Sequence, residues 1–528
     1  MPETLTYPGV YIQEVGSGVR TVSGVATSIA AFVGRALRGP VNQPTTCFNY
    51  GEFTRRFGGL WSAGPLSYAV DDFYANGGGQ SEIVRLFKPL SATDSGIAVL
   101  DVGALALRAA TPGAWGNALK GSVTHPDIAD PVGAASAAEK YGLTVADLFD
   151  LRVEDSGTGA VEIFRNLTVK ATGGARRFDR VLAAESSLVQ CQLNLDGSPK
   201  LGSRPANAAA GTGLNGNDGA PLLDTDFIGD ADKKTGIYAL KKADLFNLLC
   251  IPPDERDGTL PRTVNEKAAQ FCKAERAVLI VDPPADWDDK PDEAAAIVKA
   301  KQLAAATSVL SLAFADNAAL YFPRILRRDP KRGGQLDSFV PCGAVAGIIA
   351  RTDNARGVWK SPAGMSATIA GAEGLTVKMT DEENGLLNPL GVNCLRSFPG
   401  TGLTVWGART LKGSDQLSDD YKYLSVRRLA LMIEESLYRG TQWVVFEGND
   451  EPLWAQIRLS VGTFMQRLFK QGAFAGTSPR DAYFVKCDAS TTTPDDKNQG
   501  IVNIVVGFAP LLPAEFVVIS IQQIRTAA

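Results

Sequence analysis

At 528 residues the chain is too long for one hydrophobic core, and its length predicts roughly three domains. Its hydrophobic content of 45% and charged content of 21% are those of an ordinary globular protein. A formal charge of -4, from 53 basic and 57 acidic residues, leaves no global basic field, so a nucleic-acid partner is not expected.

Met1-Pro2-Glu3-Thr4 has neither the basic start nor the apolar core of a secretory signal. No apolar stretch approaches the roughly 20 residues a membrane helix needs. These features predict assembly in the cytoplasm and no direct membrane insertion. Seven cysteines (Cys47, Cys191, Cys250, Cys272, Cys342, Cys394, Cys487) are scattered and never form a Cys-x-x-Cys pair, which predicts free thiols packed as small core hydrophobes.

In chain order, residues 7–15 read as a lone strand entered through Pro8-Gly9 and left through Gly16-Ser17-Gly18. Residues 27–34 form a compact apolar strand, 48–57 a short amphipathic helix and 81–86 another strand. Between the last two, Leu66, Ala69, Val70 and Phe73 make a helical stripe stopped by Asn76-Gly77-Gly78-Gly79. From 91 to 235 short strand-like runs alternate with Gly, Asp, Asn and Ser. Residues 151–155 and 161–164 read as a hairpin around Ser156-Gly157-Thr158-Gly159, and 197–221 as a long mobile loop. This texture predicts an inserted, mostly-β domain.

From 236 to 345 helix and strand alternate. The apolar runs at 245–251 and 277–282 have the pattern of parallel strands buried on both faces, with helices at 264–275 and 293–306, so a small inserted α/β domain is expected. Beyond 390, Ser425 offers a cap to a helix ended by Gly440. After Asn449-Asp450-Glu451-Pro452 a longer helix carries Leu453, Trp454, Ile457, Val461, Phe464, Met465, Leu468 and Phe469 as its core face. Its opposite stripe is Gln456, Ser460, Thr463, Arg467 and Lys470, with Arg458 on a neighbouring face. Residues 515–524 read as a last strand, apolar on both faces.

Chemistry is sparse. The single histidine, His125, has no Gly-x-Ser-x-Gly elbow to serve, and Gly364-Met365-Ser366-Ala367-Thr368 lacks the final glycine. Clustered zinc ligands and a Walker phosphate loop are missing. Gly211-Thr212-Gly213-Leu214-Asn215-Gly216 matches the dinucleotide fingerprint outside a strand-helix context, and Asn217, Asp218, Asp224 and Asp226 depart from the EF-hand spacing. The expectation is a protein that is not an enzyme, with no catalytic residue, cofactor or metal.

The two terminal strands carry the functional expectation. A strand at a free terminus is an aggregation hazard unless it is covered, and a second copy of the chain covers it by strand exchange. This makes Val10, Tyr11, Ile12, Gln13, Glu14 and Val15 one intersubunit arm. Phe516, Val517, Val518, Ile519, Ser520 and Ile521 make the other.

Several motifs in series resemble the contractile sheath proteins of phage tails and phage-tail-like injection systems. They begin with Tyr7-Pro8-Gly9-Val10-Tyr11 and continue through Ala31-Phe32-Val33-Gly34-Arg35, Phe57-Gly58-Gly59 and Asn76-Gly77-Gly78. They include Trp115-Gly116-Asn117, and are strongest in Val405-Trp406-Gly407-Ala408-Arg409-Thr410, Tyr423-Leu424-Ser425-Val426-Arg427-Arg428, Gln442-Trp443-Val444-Val445-Phe446-Glu447 and Ala509-Pro510-Leu511-Leu512-Pro513-Ala514-Glu515-Phe516.

The resemblance implies an α+β multidomain fold with a core α/β domain built from both chain ends, 1–90 and 346–528. It implies a β-rich insert at 91–235 and a small subtilisin-like α/β insert at 236–345. It further implies a homo-oligomer of hexameric rings stacked helically around an inner tube, with baseplate and terminal cap proteins, in a virion tail or a bacterial injection particle. On that reading Arg458, Arg467 and Lys470 face the tube. A hydrolase built on the α/β domain and a static shell or adhesin subunit are the alternatives.

Overall fold

The computed structural model describes residues 21–516 and 518, except 127–129, 171–175, 289–292, 306–311 and 416–418, and the side chains at 303–305 and 312. The chain divides into two compact units: residues 26–428, and residues 1–25 together with 429–528. The smaller unit therefore joins segments from both ends of the chain.

The larger unit is organised on an eight-stranded sheet in the order Gly402–Val405, Val392–Phe398, Ala318–Phe322, Val278–Val281, Leu248–Cys250, Ala30–Gly34, Ser81–Arg85, Thr45–Cys47. The six inner strands run parallel and the two edge strands antiparallel. Continuous apolar runs suit the inner positions because both faces are covered. Ala31, Val33, Leu249 and Leu279 enter the core under the Arg262–Ala274 helix. On Ala30–Gly34, Phe32 faces the other way and meets Phe73 of the Leu66–Ala75 helix edge-on at 5.5 Å. That helix packs against Cys342–Arg356, where a Cβ on Gly343 would lie 1.9 Å from the Ala69 carbonyl oxygen and one on Gly347 2.4 Å from that of Phe73. Two glycines four apart let the helix backbones touch.

This sheet corrects the expected boundaries. Strands from before residue 90, from between 236 and 345, and from after 346 are hydrogen-bonded neighbours, so 236–345 is not a separate domain. A buried apolar strand looks the same whichever strand it pairs with, and parallel pairing links distant segments.

The β-rich part contains two sheets, Ala210–Thr212, Leu119–Thr124, Phe149–Asp155, Ala160–Leu167 and Val99–Val102, Leu105–Ala109, Val189–Cys191. They enclose a core that includes Leu100, Leu107, Phe149, Leu151 and Phe178. The expected hairpin is present, with Asp155 opposite Ala160. Its neighbour in the sheet overturns the mobile-loop expectation for 197–221, since Ala210–Thr212 pairs with Leu119–Thr124. The fingerprint glycines serve packing instead: a Cβ on Gly211 would meet the Asp101 carbonyl oxygen at 2.0 Å, and one on Gly213 that of Gly116 at 1.9 Å. Arg85 anchors the β-rich part to the sheet, donating to the carbonyls of Ala36 at 2.8 Å, Gly39 at 2.9 Å and Pro112 at 2.8 Å.

Ser425 does not cap its helix. The helix runs Leu424–Gly440, which places Ser425 inside it, and the buried hydroxyl lies 3.1 Å from that of Ser361.

Candidate intersubunit surface

The smaller unit is built on the Glu451–Lys470 helix, started by Pro452 and by the Asp450 side chain, which accepts from the Leu453 N–H. Leu453, Trp454, Ile457, Val461, Phe464, Met465 and Leu468 are buried, as the spacing predicts, whereas Phe469, expected with them, is only half-buried. The Trp454 indole N–H donates to Asn449 Oδ1 at 3.0 Å, and Asn449 Nδ2 donates to the Ile501 carbonyl at 2.9 Å.

Against this helix lies a two-stranded sheet, Tyr483–Lys486 antiparallel to Val505–Phe508. The Tyr483 hydroxyl donates to Gln466 Oε1 at 2.7 Å, and the Phe474 ring stands 5.6 Å from Phe508 and 6.1 Å from Tyr483. In the turn after the first strand, the Ser490 hydroxyl and N–H both donate to Asp488 and hold its carboxyl below the usual range. Among the described residues no third strand pairs with either edge of this sheet. Two strands alone are marginal, and unpaired edges are templates for another strand. Phe484 and Val505 are 49% and 44% exposed, and Leu512, Phe516 and Val518 follow at 66%, 75% and 88%.

The sequence reading missed this sheet. Its strands are four residues long, separated by residues 487–504 with the short Pro494–Asn498 helix among them, and one is interrupted by Gly507; the available signal was Tyr483-Phe484-Val485 against Val505-Val506. Of the expected arms, Val10, Tyr11, Ile12, Gln13, Glu14 and Val15 lie outside the described residues, as do Val517, Ile519, Ser520 and Ile521. Phe516 and Val518 are described, are exposed, and are not in a strand.

The basic stripe is only partly assembled. Arg458 is engaged within the chain, donating to Glu451 Oε1 at 2.5 Å and to the Cys487 carbonyl. Arg467 donates to the Val22 carbonyl at 3.1 Å and lies over the Phe464 ring at 5.6 Å, while Ser460 is buried. Lys470 is exposed and has no ion-pair partner among the described residues. Arg467 and Lys470 thus share a face that Arg458 does not join.

In the larger unit, the carboxyl ends of the parallel strands are where α/β folds bind ligands. Here the Arg324 guanidinium occupies that position, donating to the carbonyls of Arg256 at 2.9 Å, Gly258 at 2.7 Å and Pro283 at 3.3 Å. Burial pushes the nearby carboxyls of Asp282 and Asp288 up to about 7 and about 6. Asn217, Asp218, Asp224 and Asp226, whose spacing departs from the EF-hand loop, do not converge. Asn217 donates to Asp94, Asp218 accepts from the Ala114 N–H, Asp224 accepts from Thr263, and Asp226 pairs with Lys88. Among the described residues no group of three or more His, Cys, Asp or Glu is placed to hold a metal ion, and no helix is long and apolar enough to cross a membrane.

A mostly parallel sheet with a β-rich insertion, and a small unit carrying a two-stranded sheet, define a multidomain protein of mixed α and β structure. Residues 228–411 match the phage tail sheath protein central domain and residues 416–524 the phage tail sheath C-terminal domain, together more than half of the chain. The chain belongs to the contractile tail sheath family.

It is 26% identical over 168 residues to the tail sheath protein of Vibrio phage KVP40, a match spanning 31% of this chain and 24% of that one. The curated relatives are thus matched over about a quarter of their own length. Among solved structures, the sheath complex of an extracellular contractile injection system in its contracted state aligns with a TM-score of 0.57 at 21% identity, over 99% of this chain and 98% of that one. The contracted helical sheath of the anti-feeding prophage aligns with a TM-score of 0.55 at 23% identity, over 98% and 100%. These similarities establish the fold.

Proposed function

We propose that this chain is the subunit of a contractile sheath that polymerises as stacked hexameric rings around an inner tube and shortens to drive the tube through a target envelope. The single observation that carries the proposal is the Tyr483–Lys486 and Val505–Phe508 sheet, neither edge of which is paired among the described residues. Two free edges suit two arms, residues 10–15 and 516–521, each supplied by a neighbouring copy. A ladder hydrogen bond nets about 1 kcal/mol, so one short strand contributes a few kcal/mol, enough to link subunits that must still rotate. Baseplate and cap proteins close the two ends of the polymer. The particle assembles in the cytoplasm and belongs to a virion or to an injection device. The helices and strands of residues 236–345 have a subtilisin-like arrangement that carries no catalytic role.

Deleting residues 1–18 or 515–528 tests this. Each truncated chain is expected to keep its far-UV circular dichroism and solubility and to form no sheaths in electron micrographs. Full-length sheaths from either truncation overturn strand exchange as the link. Particles seen in one length only, never long and short forms, favour a static shell.

A further inference from the structure

Seven acidic residues among the described ones are, as whole residues, no more than 9% exposed, and six of them have a cationic partner. Asp72 pairs with Arg327, Asp155 with Arg38, Asp316 with Arg427, Asp329 with Arg256, Asp353 with Arg428 and Glu435 with Arg439. Glu82, 6% exposed in the Ser81–Arg85 strand, has none among the described residues. Its Oε1 accepts from the Thr46 hydroxyl at 2.7 Å and from Gln80 Nε2 at 3.5 Å, both neutral. Burial accordingly raises its carboxyl above the ordinary value. A buried carboxylate without a cation is costly, and an arriving positive charge relieves that cost.

Glu82 also lines a cavity of about 430 Å³. Ile29, Pro44 and Leu245 give it an apolar strip, while Thr46, Gln80, Lys242 and Asp244 make most of the remaining lining polar. Lys242 is drawn to the Asn42 carbonyl, 2.9 Å from its Nζ, and makes no ion pair with Glu82. An apolar strip beside a buried carboxylate in a polar cavity fits an aliphatic stem ending in a cation, the shape of a lysine or arginine side chain. The cavity includes Ala26, the first residue of the larger unit.

We propose that this cavity receives the ammonium or guanidinium head of a lysine or arginine side chain from a second copy of the chain, which pairs with Glu82. The identity of the donor rests on the polymer reading; the cavity's preference for a cation does not. The two are separable by experiment.

The preference is read by melting the full-length chain before polymerisation with n-pentylammonium chloride, against sodium chloride at equal ionic strength and against neutral n-pentanol. A saturable rise in melting temperature with pentylammonium alone is expected, and its loss in Glu82→Gln, which keeps the Thr46 bond. Equal responses to the three additives, or a rise unchanged in Glu82→Gln, overturn the proposal. Should Glu82→Gln fail to fold, Thr46→Val, which leaves the carboxylate in place, is expected to retain the rise, and its loss there overturns the assignment to Glu82. The donor is read in a high-resolution map of assembled wild-type sheaths. A neighbouring copy's Lys or Arg within ion-pair distance of Glu82 supports the proposal, whereas a vacant cavity overturns it and leaves a free amine as the ligand. A chain that never polymerises refutes the sheath reading and, with it, the second-copy donor, while the melting measurement still decides the cation site.

Discussion

Arg428 and Asp353 form a bidentate ion pair with both side chains 3% exposed, at 2.9 Å and 2.5 Å. Thr27 closes the arrangement, its hydroxyl donating to Asp353 Oδ2 at 2.6 Å and its carbonyl accepting from Arg428 at 2.8 Å. Residues 27 and 428 lie beside the two points where the chain passes between its units, so one ion pair holds both crossings on the larger unit. Removing one partner strands a buried charge. Asp353→Ala is expected to cost about 3–5 kcal/mol in chemical denaturation, and the Asp353→Ala, Arg428→Met double variant less than the sum of the single ones.

Gly343→Ala tests the helix contact, because its Cβ has the Ala69 carbonyl oxygen at 1.9 Å. Backbone must move, and a loss of about 1–3 kcal/mol is expected. Gly385→Ala is the control. Gly385 sits in the Asp381–Leu387 helix with nothing within 4 Å of an added Cβ, so alanine there should stabilise by about 0.5–1 kcal/mol. Denaturation midpoints moving in the same direction for both would refute the packing account.

Asp282 gives a pH dependence of defined sign. Its Oδ1 accepts from the Cys342 N–H at 2.9 Å, its Oδ2 has no hydrogen-bond partner, and burial pushes the carboxyl up to about 7 from 3.8. The folded chain therefore holds this proton where the unfolded chain has lost it. The associated stability is complete below the unfolded value and is lost as pH rises toward 7. Asp72, pushed up to about 7 mainly by burial, acts in the same direction. Stability of the wild type is expected to fall between pH 5 and pH 8. Asp282→Asn should flatten that slope by about 1–3 kcal/mol across the interval, and an unchanged slope assigns the titration elsewhere.

Arg467 and Lys470 supply the remaining prediction, which depends on the sheath reading. Exposed charges give individually weak, salt-screened contacts, which suit a releasable grip on an acidic tube. Arg467→Glu with Lys470→Glu is expected to leave a folded subunit that assembles in the short form without tube. Extended, tube-filled particles with unchanged salt tolerance in that variant place the grip elsewhere.

The local elements were legible in the sequence because their causes are local. Helical spacing of Leu66, Ala69, Val70 and Phe73 produced the Leu66–Ala75 helix, the Asp450-Glu451-Pro452 start and the spacing from Leu453 to Leu468 produced the Glu451–Lys470 helix, and the apolar runs around Leu249 and Leu279 became parallel neighbours. The terminal arms follow from sequence alone, as expectations about residues 10–15 and 516–521. Tertiary structure decided what stands beside what. Strand partners are chosen by long-range packing, so only the fold places Ala30 between Leu248 and Ser81 and merges segments that composition had divided into domains. The same holds for charge. Sequence shows Glu82, Arg458 and Arg467 as three ionisable side chains of equal standing; the fold pairs Arg458 with Glu451, turns Arg467 to the Val22 carbonyl and buries Glu82 without a cation, because the desolvation that separates their roles arises from neighbours distant in the chain.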